Sequence, residues 1–172
     1  IRRNVRLAEG DAFSPAKIRR SKQLIEELGF FSNVDIGQIP GSTPDRSEIH
    51  IGIQEQSTGE LTFGAGLSSD SGVLGSAGVT EKNLLGRGQN LSLRFQVSGR
   101  DQLVEASLDE PYFLNRDVSA GFDVYNTARE FRESSFDRKL IGFGVRASYP
   151  IAEFLHQQIR YGLRSETIVP FA

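Results

Sequence analysis

The chain has 172 residues, 18 glycines, no cysteine and a formal net charge of −2. Without cysteine it has neither disulfides nor thiolate metal sites, and the near-neutral charge gives no reason to expect a nucleic-acid partner. No apolar run approaches the about 20 residues of a transmembrane helix, although alternating strands cross membranes without such a run. The chain starts without Met and stops inside a strand pattern at residues 170–172, which predicts a fragment.

Residues 1–56 predict a small water-soluble α+β unit, with one apolar face on each element. The first seven residues are typical of the last turns of a helix. A clear helix follows, with Ser14 as N-cap, Pro15 at the first helical position and Gly29 as a left-handed C-cap. Two alternating strands then flank the turn chemistry of residues 40–45, so the unit fits an α+β fold whose first strand is absent.

From residue 57 onward the pattern changes to one predicted β-hairpin after another. The first strand presents an apolar face, Leu61, Phe63, Ala65 and Leu67, and a polar face, Glu60, Thr62, Gly64, Gly66 and Ser68. As the first of a series it has no preceding hairpin partner. It must therefore pair with the last strand of a closed barrel or remain an open edge.

Six further alternating segments follow, at residues 73–80, 90–98, 104–109, 118–125, 141–149 and 155–164. All but the short pattern at 104–109 approach or reach the about 9–11 residues that a tilted membrane strand needs. The polar faces carry charges that suit a wet lumen, namely Arg94, Glu105, Asp109, Asp123, Arg146, Arg160 and Arg164. These features predict an antiparallel membrane barrel and leave a soluble β-sandwich as the alternative.

The connections between these strands sort onto two rims. One rim takes the turns at residues 83–88, 110–115 and 150–153, and it is the rim that the soluble unit joins. The other takes residues 68–72, 98–101 and a longer loop at 126–139. The first rim is periplasmic if the barrel lies in an outer membrane.

No catalytic constellation is present. His50 and His156 lie far apart, with no cysteine and no carboxylate at ligand spacing. The short Gly86-Arg87-Gly88 stretch lacks the pattern and the following helix of a phosphate loop, and it is more typical of a turn. The sequence thus predicts neither an enzyme nor a cofactor or metal site.

Four motifs, in chain order, resemble a known family. Leu28-Gly29-Phe30-Phe31-Ser32-Asn33-Val34 is similar to the signature of a POTRA domain, and residues 57–66 resemble the link into a BamA-type barrel. Glu81-Lys82-Asn83-Leu84-Leu85-Gly86-Arg87-Gly88 and Glu110-Pro111-Tyr112-Phe113 match the family's first two periplasmic turns. The resemblance implies the C-terminal part of the last POTRA domain at residues 1–56. It implies about the first seven of sixteen barrel strands at residues 57–172.

The resemblance also implies a function. Members of the family are insertases in the outer membrane of Gram-negative bacteria, with the N-terminal part in the periplasm. They are expected to template unfolded outer-membrane client barrels by β-augmentation at the first barrel strand, here residues 60–68, within the lipid bilayer. The family docks accessory lipoproteins on the last POTRA domain, at the loop that here holds Arg2 and Glu9.

Two alternatives remain open at the level of the sequence. One is a secretion pore of the same superfamily, which passes its client through the lumen instead of along a strand edge. The other is a soluble β-rich binding module, which needs no detergent for extraction. The number of POTRA repeats in the full-length protein separates the insertase from the pore.

Overall fold

The computed structural model describes residues 1–43, 46–131, 136–152 and 154–170. The predicted turn positions 44–45 and 153, and the end of the strand pattern at 171–172, lie outside the described residues. The chain divides into two compact units, Ile1–Thr58 and Gly59–Ala172.

In its described residues the first unit contains one α-helix, α1, Pro15–Glu26. Its N-terminus is capped as predicted, because the Ser14 hydroxyl accepts a hydrogen bond from the Lys17 N–H at 3.4 Å. Gly29 follows the helix with φ +70°, the left-handed conformation expected at a C-cap. The predicted helix at residues 1–7 is wrong. Only a single 3-10 turn forms there, Arg2–Asn4, and Val5 is already extended.

A two-stranded antiparallel hairpin completes this unit, with β1 at Phe31–Pro40 and β2 at Ser47–Glu55. The helix packs on β1, and Ile25 and Val34 are fully buried between them. Ser21 is also buried, and its hydroxyl is satisfied there because it donates to the Lys17 carbonyl and accepts from the Arg6 N–H. The hydroxyl thus ties the N-terminal segment to the helix.

As far as the structure describes it, the second unit is one antiparallel sheet of seven strands in sequential order. Each strand pairs with the next along the chain, so the seven predicted strands and their order are confirmed. Their bounds are β3 Gly59–Ser68, β4 Gly72–Leu84, β5 Gln89–Ser98, β6 Asp101–Glu110, β7 Ser119–Phe131, β8 Phe136–Ala152 and β9 Leu155–Pro170. We call the end of the sheet where β3 begins the near rim and the end where β3 finishes the far rim.

The longer loop predicted at residues 126–139 is wrong for residues 126–131 and 136–139, and residues 132–135 lie outside the described residues. Strands β7 and β8 continue through most of it, and their ladder extends from Ser119↔Ser148 to Phe131↔Phe136. The rings of Phe131 and Phe136 stack at the last pair, with centroids 4.9 Å apart. The apolar–polar alternation of the sequence fades over this stretch because polar residues occupy both faces. The strands nevertheless continue, because their backbones pair and the two rings stack at the end of the ladder.

The near-rim turns are held by side chains from the two turn motifs. Asn83 accepts a hydrogen bond from the Gly88 N–H at 2.8 Å, and Leu85, Gly86 and Gly88 all have positive φ. The Gln89 amide donates to the Glu110 carboxylate at 2.6 Å and so links the first turn to the second. Gly86-Arg87-Gly88 is therefore part of a tight turn, as predicted.

Within the residues described, the structure contains no helix with both the length and the apolar character that crossing a membrane requires.

Candidate functional site: the free edge of the first strand

Strand β3 is an edge of the sheet. It pairs along its whole length with β4, from Gly59↔Glu81 to Ser68↔Gly72, without a bulge. Among the described residues no strand pairs with its other side. An unpaired edge exposes a row of backbone N–H and C=O groups, which is a template for another strand.

The two faces of β3 follow the predicted alternation. Leu61, Phe63 and Leu67 are 63%, 72% and 87% exposed, and they share a face with Val79, Ala77 and Val73 of β4. We call this the outer face and the opposite one, with Thr62 and Gly64, the inner face. A strand that paired with this edge and placed its apolar residues on the outer face would extend the apolar surface of β3 and β4.

The two inner-face glycines of β3 differ in what surrounds them. A Cβ placed on Gly64 would come within 2.6 Å of the Ser76 hydroxyl, so Ser76 occupies that space. A Cβ on Gly66 would meet only Leu74 Cδ2, at an ordinary 3.8 Å. A side chain at position 64 would therefore displace the Ser76 hydroxyl, a contact that the sequence did not reveal, while Gly66 leaves little side-chain packing on the edge.

Strand β9 is the other edge within the described residues, since it pairs only with β8. All of its residues are exposed. The two edges differ in their connections along the chain. Strand β3 directly follows the first unit, whereas β9 follows six strands of the same sheet.

The predicted polar residues do share the inner face, and most of them form ion pairs. Arg94 lies 3.1 Å from Glu105, directly across from it on β6. Arg146 donates two hydrogen bonds to Asp109, at 2.9 and 2.7 Å, and one to Asp123 at 2.6 Å. Fork-like pairing of this kind fixes both partners in place, and here it spans three neighbouring strands.

Three glycines make room for these inner-face side chains. Arg146 and Asp109 cross over Gly121, Tyr125 lies over Gly142, and Asp123 lies over Gly144. In each case side-chain atoms occupy the position that a Cβ would take. The sequence analysis assigned roles to glycines only at a helix end and in a turn, not inside the strands. The structure shows that these three are packing positions, which could be recognised only after the register placed each glycine opposite its large neighbour.

Arg2 and Glu9, the residues implied for a lipoprotein partner, both line a groove of about 750 Å³ in the first unit. Its walls include Val5, Ile18 and Ile49. Both charged residues are exposed. The structure thus brings the two residues to one concave surface, which is lined by apolar and charged side chains.

A carboxylate that the sequence analysis passed over, Asp11, orders the loop on this groove. It accepts hydrogen bonds from the Lys17 ammonium group at 3.0 Å and the Ala8 N–H at 3.2 Å. The hydrogen bond from Lys17, followed by that from Ala8, lowers the pKa of Asp11 below its ordinary value. The loop that carries Glu9 is therefore fixed at both ends.

Comparison with known families settles the lineage. The family model of the Omp85 superfamily domain matches residues 83–171, and the model of the surface antigen variable number repeat, POTRA, matches residues 1–56. The chain belongs to the Omp85 superfamily. The predicted family and fold class, an α+β POTRA unit followed by antiparallel barrel strands, are confirmed.

Named relatives support the same family assignment. The chain is similar to the outer membrane protein assembly factor BamA of Neisseria meningitidis, with 36% identity over 96% of this chain. It is 34% identical to BamA of Nitratidesulfovibrio vulgaris over 90% of this chain. The chain spans only 21% and 19% of the lengths of these two relatives.

Solved structures extend the comparison. The crystal structure of BamA from Haemophilus ducreyi lacking POTRA domains 1–3 is similar over 98% of this chain and 32% of its own, with a TM-score of 0.83 and 29% identity. CdiB from Acinetobacter baumannii is similar over 98% of this chain and 35% of its own, with a TM-score of 0.59 and 12% identity, which shows a shared fold.

These findings locate the chain in the cell. It is part of a protein of the outer membrane, with its POTRA unit in the periplasm. The alternative of a soluble β-rich module is therefore removed, whereas a secretion pore still lies within the superfamily.

Proposed function

We propose that the full-length protein folds and inserts client β-barrel proteins into the outer membrane. The client's last strand adds to the free edge of β3 by β-augmentation, with residues 60–68 as the template. The observation that carries the proposal is this edge, which is continuously paired on one side and open on the other among the described residues. Resemblance to assembly factors supports it.

The physical argument is that templating uses backbone groups and needs no bond chemistry. A barrel strand cannot rest in lipid with its edge unpaired, since each unsatisfied backbone group there costs several kcal/mol. A client strand that pairs with β3 satisfies its own groups and those of the edge together. The exposed outer-face residues of β3 then continue the apolar surface toward the lipid.

The proposal predicts that proline on β3 impairs client insertion where other substitutions do not. Successive residues of a strand point their N–H groups to opposite edges, so proline at alternate positions removes either a bond to β4 or a bond to the client. We expect Ala65→Pro to lower the rate of client insertion far more than Ala65→Val, in full-length protein reconstituted in vesicles.

A proline scan over residues 62–66 supplies the control for that experiment. Positions of one parity should disturb the β3–β4 ladder itself, and positions of the other parity should affect only the client. Equal insertion rates for the proline and valine variants at every position, with both barrels folded, would contradict templating at this edge.

A secretion pore is the second candidate, and one observation favours it. The inner face keeps exposed guanidinium groups, with the Arg94 and Arg160 side chains 61% and 65% exposed, which suits a polar chain passing through a lumen. For a pore, charge reversal at Arg94 should impair the client more than proline on β3. For an insertase, the order of the two effects is reversed.

We also propose that the groove of the first unit, with Arg2 and Glu9, receives an accessory lipoprotein. A partner seated there would bury the apolar walls, Val5 and Ile49 among them, and pair with the marginal charges. Arg2→Glu combined with Glu9→Arg should abolish co-purification of a lipoprotein, while the exposed control change Glu27→Arg should not. Retention of the lipoprotein by the double variant would contradict this assignment.

A further inference from the structure

The turn between β3 and β4 is joined to the rest of the far rim by a network of charged residues. We call Asp70, Arg100, Asp101 and Arg129 the rim junction. Its base is the cross-strand pair Asp101↔Arg129 on β6 and β7, in which the Arg129 guanidinium lies 3.2 Å from the carboxylate of Asp101. The same guanidinium lies 5.2 Å from the centroid of the Phe131 ring, which limits its orientation.

Asp70, in the turn between β3 and β4, contacts two arginines. Its carboxylate lies 2.5 Å from the Arg100 guanidinium, in the β5–β6 turn, and 3.6 Å from that of Arg129. The carboxylate of Asp70 thus links the β3–β4 turn to the β5–β6 turn and to β7.

Ser71 adds a main-chain connection between the two turns. Its carbonyl accepts a hydrogen bond from the Gly99 N–H at 2.9 Å, and its hydroxyl donates to Asp101 at 2.8 Å. A Cβ on Gly99 would come within 2.9 Å of the same carbonyl, so glycine is needed for this approach. Within the turn, the Ser68 hydroxyl accepts from the N–H groups of Asp70 and Ser71.

These contacts all act on the Ser68 end of β3. The strand has ladder support from β4 alone among the described residues, and the register of that hairpin is fixed by its turn. A slip of one residue would exchange the outer and inner faces of β3. Isolated exposed ion pairs contribute little, but here several ion pairs act together with a main-chain hydrogen bond.

We propose that the rim junction is a positioning device: it holds the Ser68 end of β3 in place, so that a client strand pairs with the free edge in one register. Arg100 is its key positioning residue, since it connects the β5–β6 turn to the β3–β4 turn through Asp70. The inference rests on the proposed templating by β3, and it adds what determines the register in which the client strand pairs with β3.

The test uses full-length protein with a stalled client and single cysteines at Leu61 or Leu67 of β3, cross-linked to cysteines along the client's last strand. In Arg100→Met, we expect the ratio of the main to the neighbouring register to fall about fivefold at Leu67 and at Leu61 alike, because a slip moves the whole strand. Arg100→Lys should restore the single register, because one cation suffices for the contact with Asp70.

Two further variants complete the design. Arg116→Met removes an exposed arginine from the near rim, between β6 and β7, and should leave both registers unchanged. Gly99→Ala disturbs the junction without changing any charge and should reproduce the loss at Leu67. A single register at Leu67 in both Arg100→Met and Gly99→Ala would overturn the inference. Absence of cross-links from every β3 position in the unaltered protein would instead overturn the templating proposal itself.

Discussion

Gly142 shows most clearly why this sheet carries glycine inside its strands. The ring of Tyr125, directly opposite on β7, fills the space where a Cβ would stand. Gly142→Ala should therefore lower the free energy of unfolding by about 1–3 kcal/mol, the usual cost of overpacking. Gly78→Ala, on the same face, meets only ordinary contacts and should change it by about 0.5 kcal/mol or less.

A double-mutant cycle in urea, on the full-length protein in detergent, isolates the contact between these two residues. In a Tyr125→Ala background the cost of Gly142→Ala should vanish, because the ring that the new Cβ meets is gone. An undiminished cost in that background would show that the glycine serves the backbone and not the ring.

At the scale of the strand, the alternation assigns each side chain to lipid or to water. Phe95 lies on the outer face of β5, opposite Ala77 and Val104, whereas Ser92 lies on the inner face. Phe95→Arg should cost roughly 2–4 kcal/mol in a lipid unfolding titration, and Ser92→Arg far less. Equal costs at the two positions would contradict the assigned faces.

The sequence alone was enough to predict the strands, because a two-residue period is a local property of the chain. It was also enough for the capped helix, where Ser14 and Gly29 signal the ends by their own chemistry. The sequence was not enough where a contact depends on a residue of another strand. The pairing of Arg146 with Asp109 and Asp123 depends on a register across three strands, and the continuation of β7 to Phe131 depends on its ring partner.

For the molecule as a whole, the account is that the described sheet has β3 at one edge, a strand that pairs along its whole length with β4 and leaves its other side open to a client. The far rim fixes that strand through Asp70 and Arg100, and the inner-face network ties β6, β7 and β8 together. A firmly joined sheet and a free edge are the two properties that a strand template requires.

The most direct measurement is therefore a cysteine scan of residues 60–68 in full-length protein, cross-linked to the last strand of a stalled client. The account predicts cross-links in one register, with an efficiency that alternates every two residues as side chains switch faces. Cross-links found only at inner-face positions such as Arg94 and Arg146, and none along β3, would contradict templating at the edge and favour passage through the lumen.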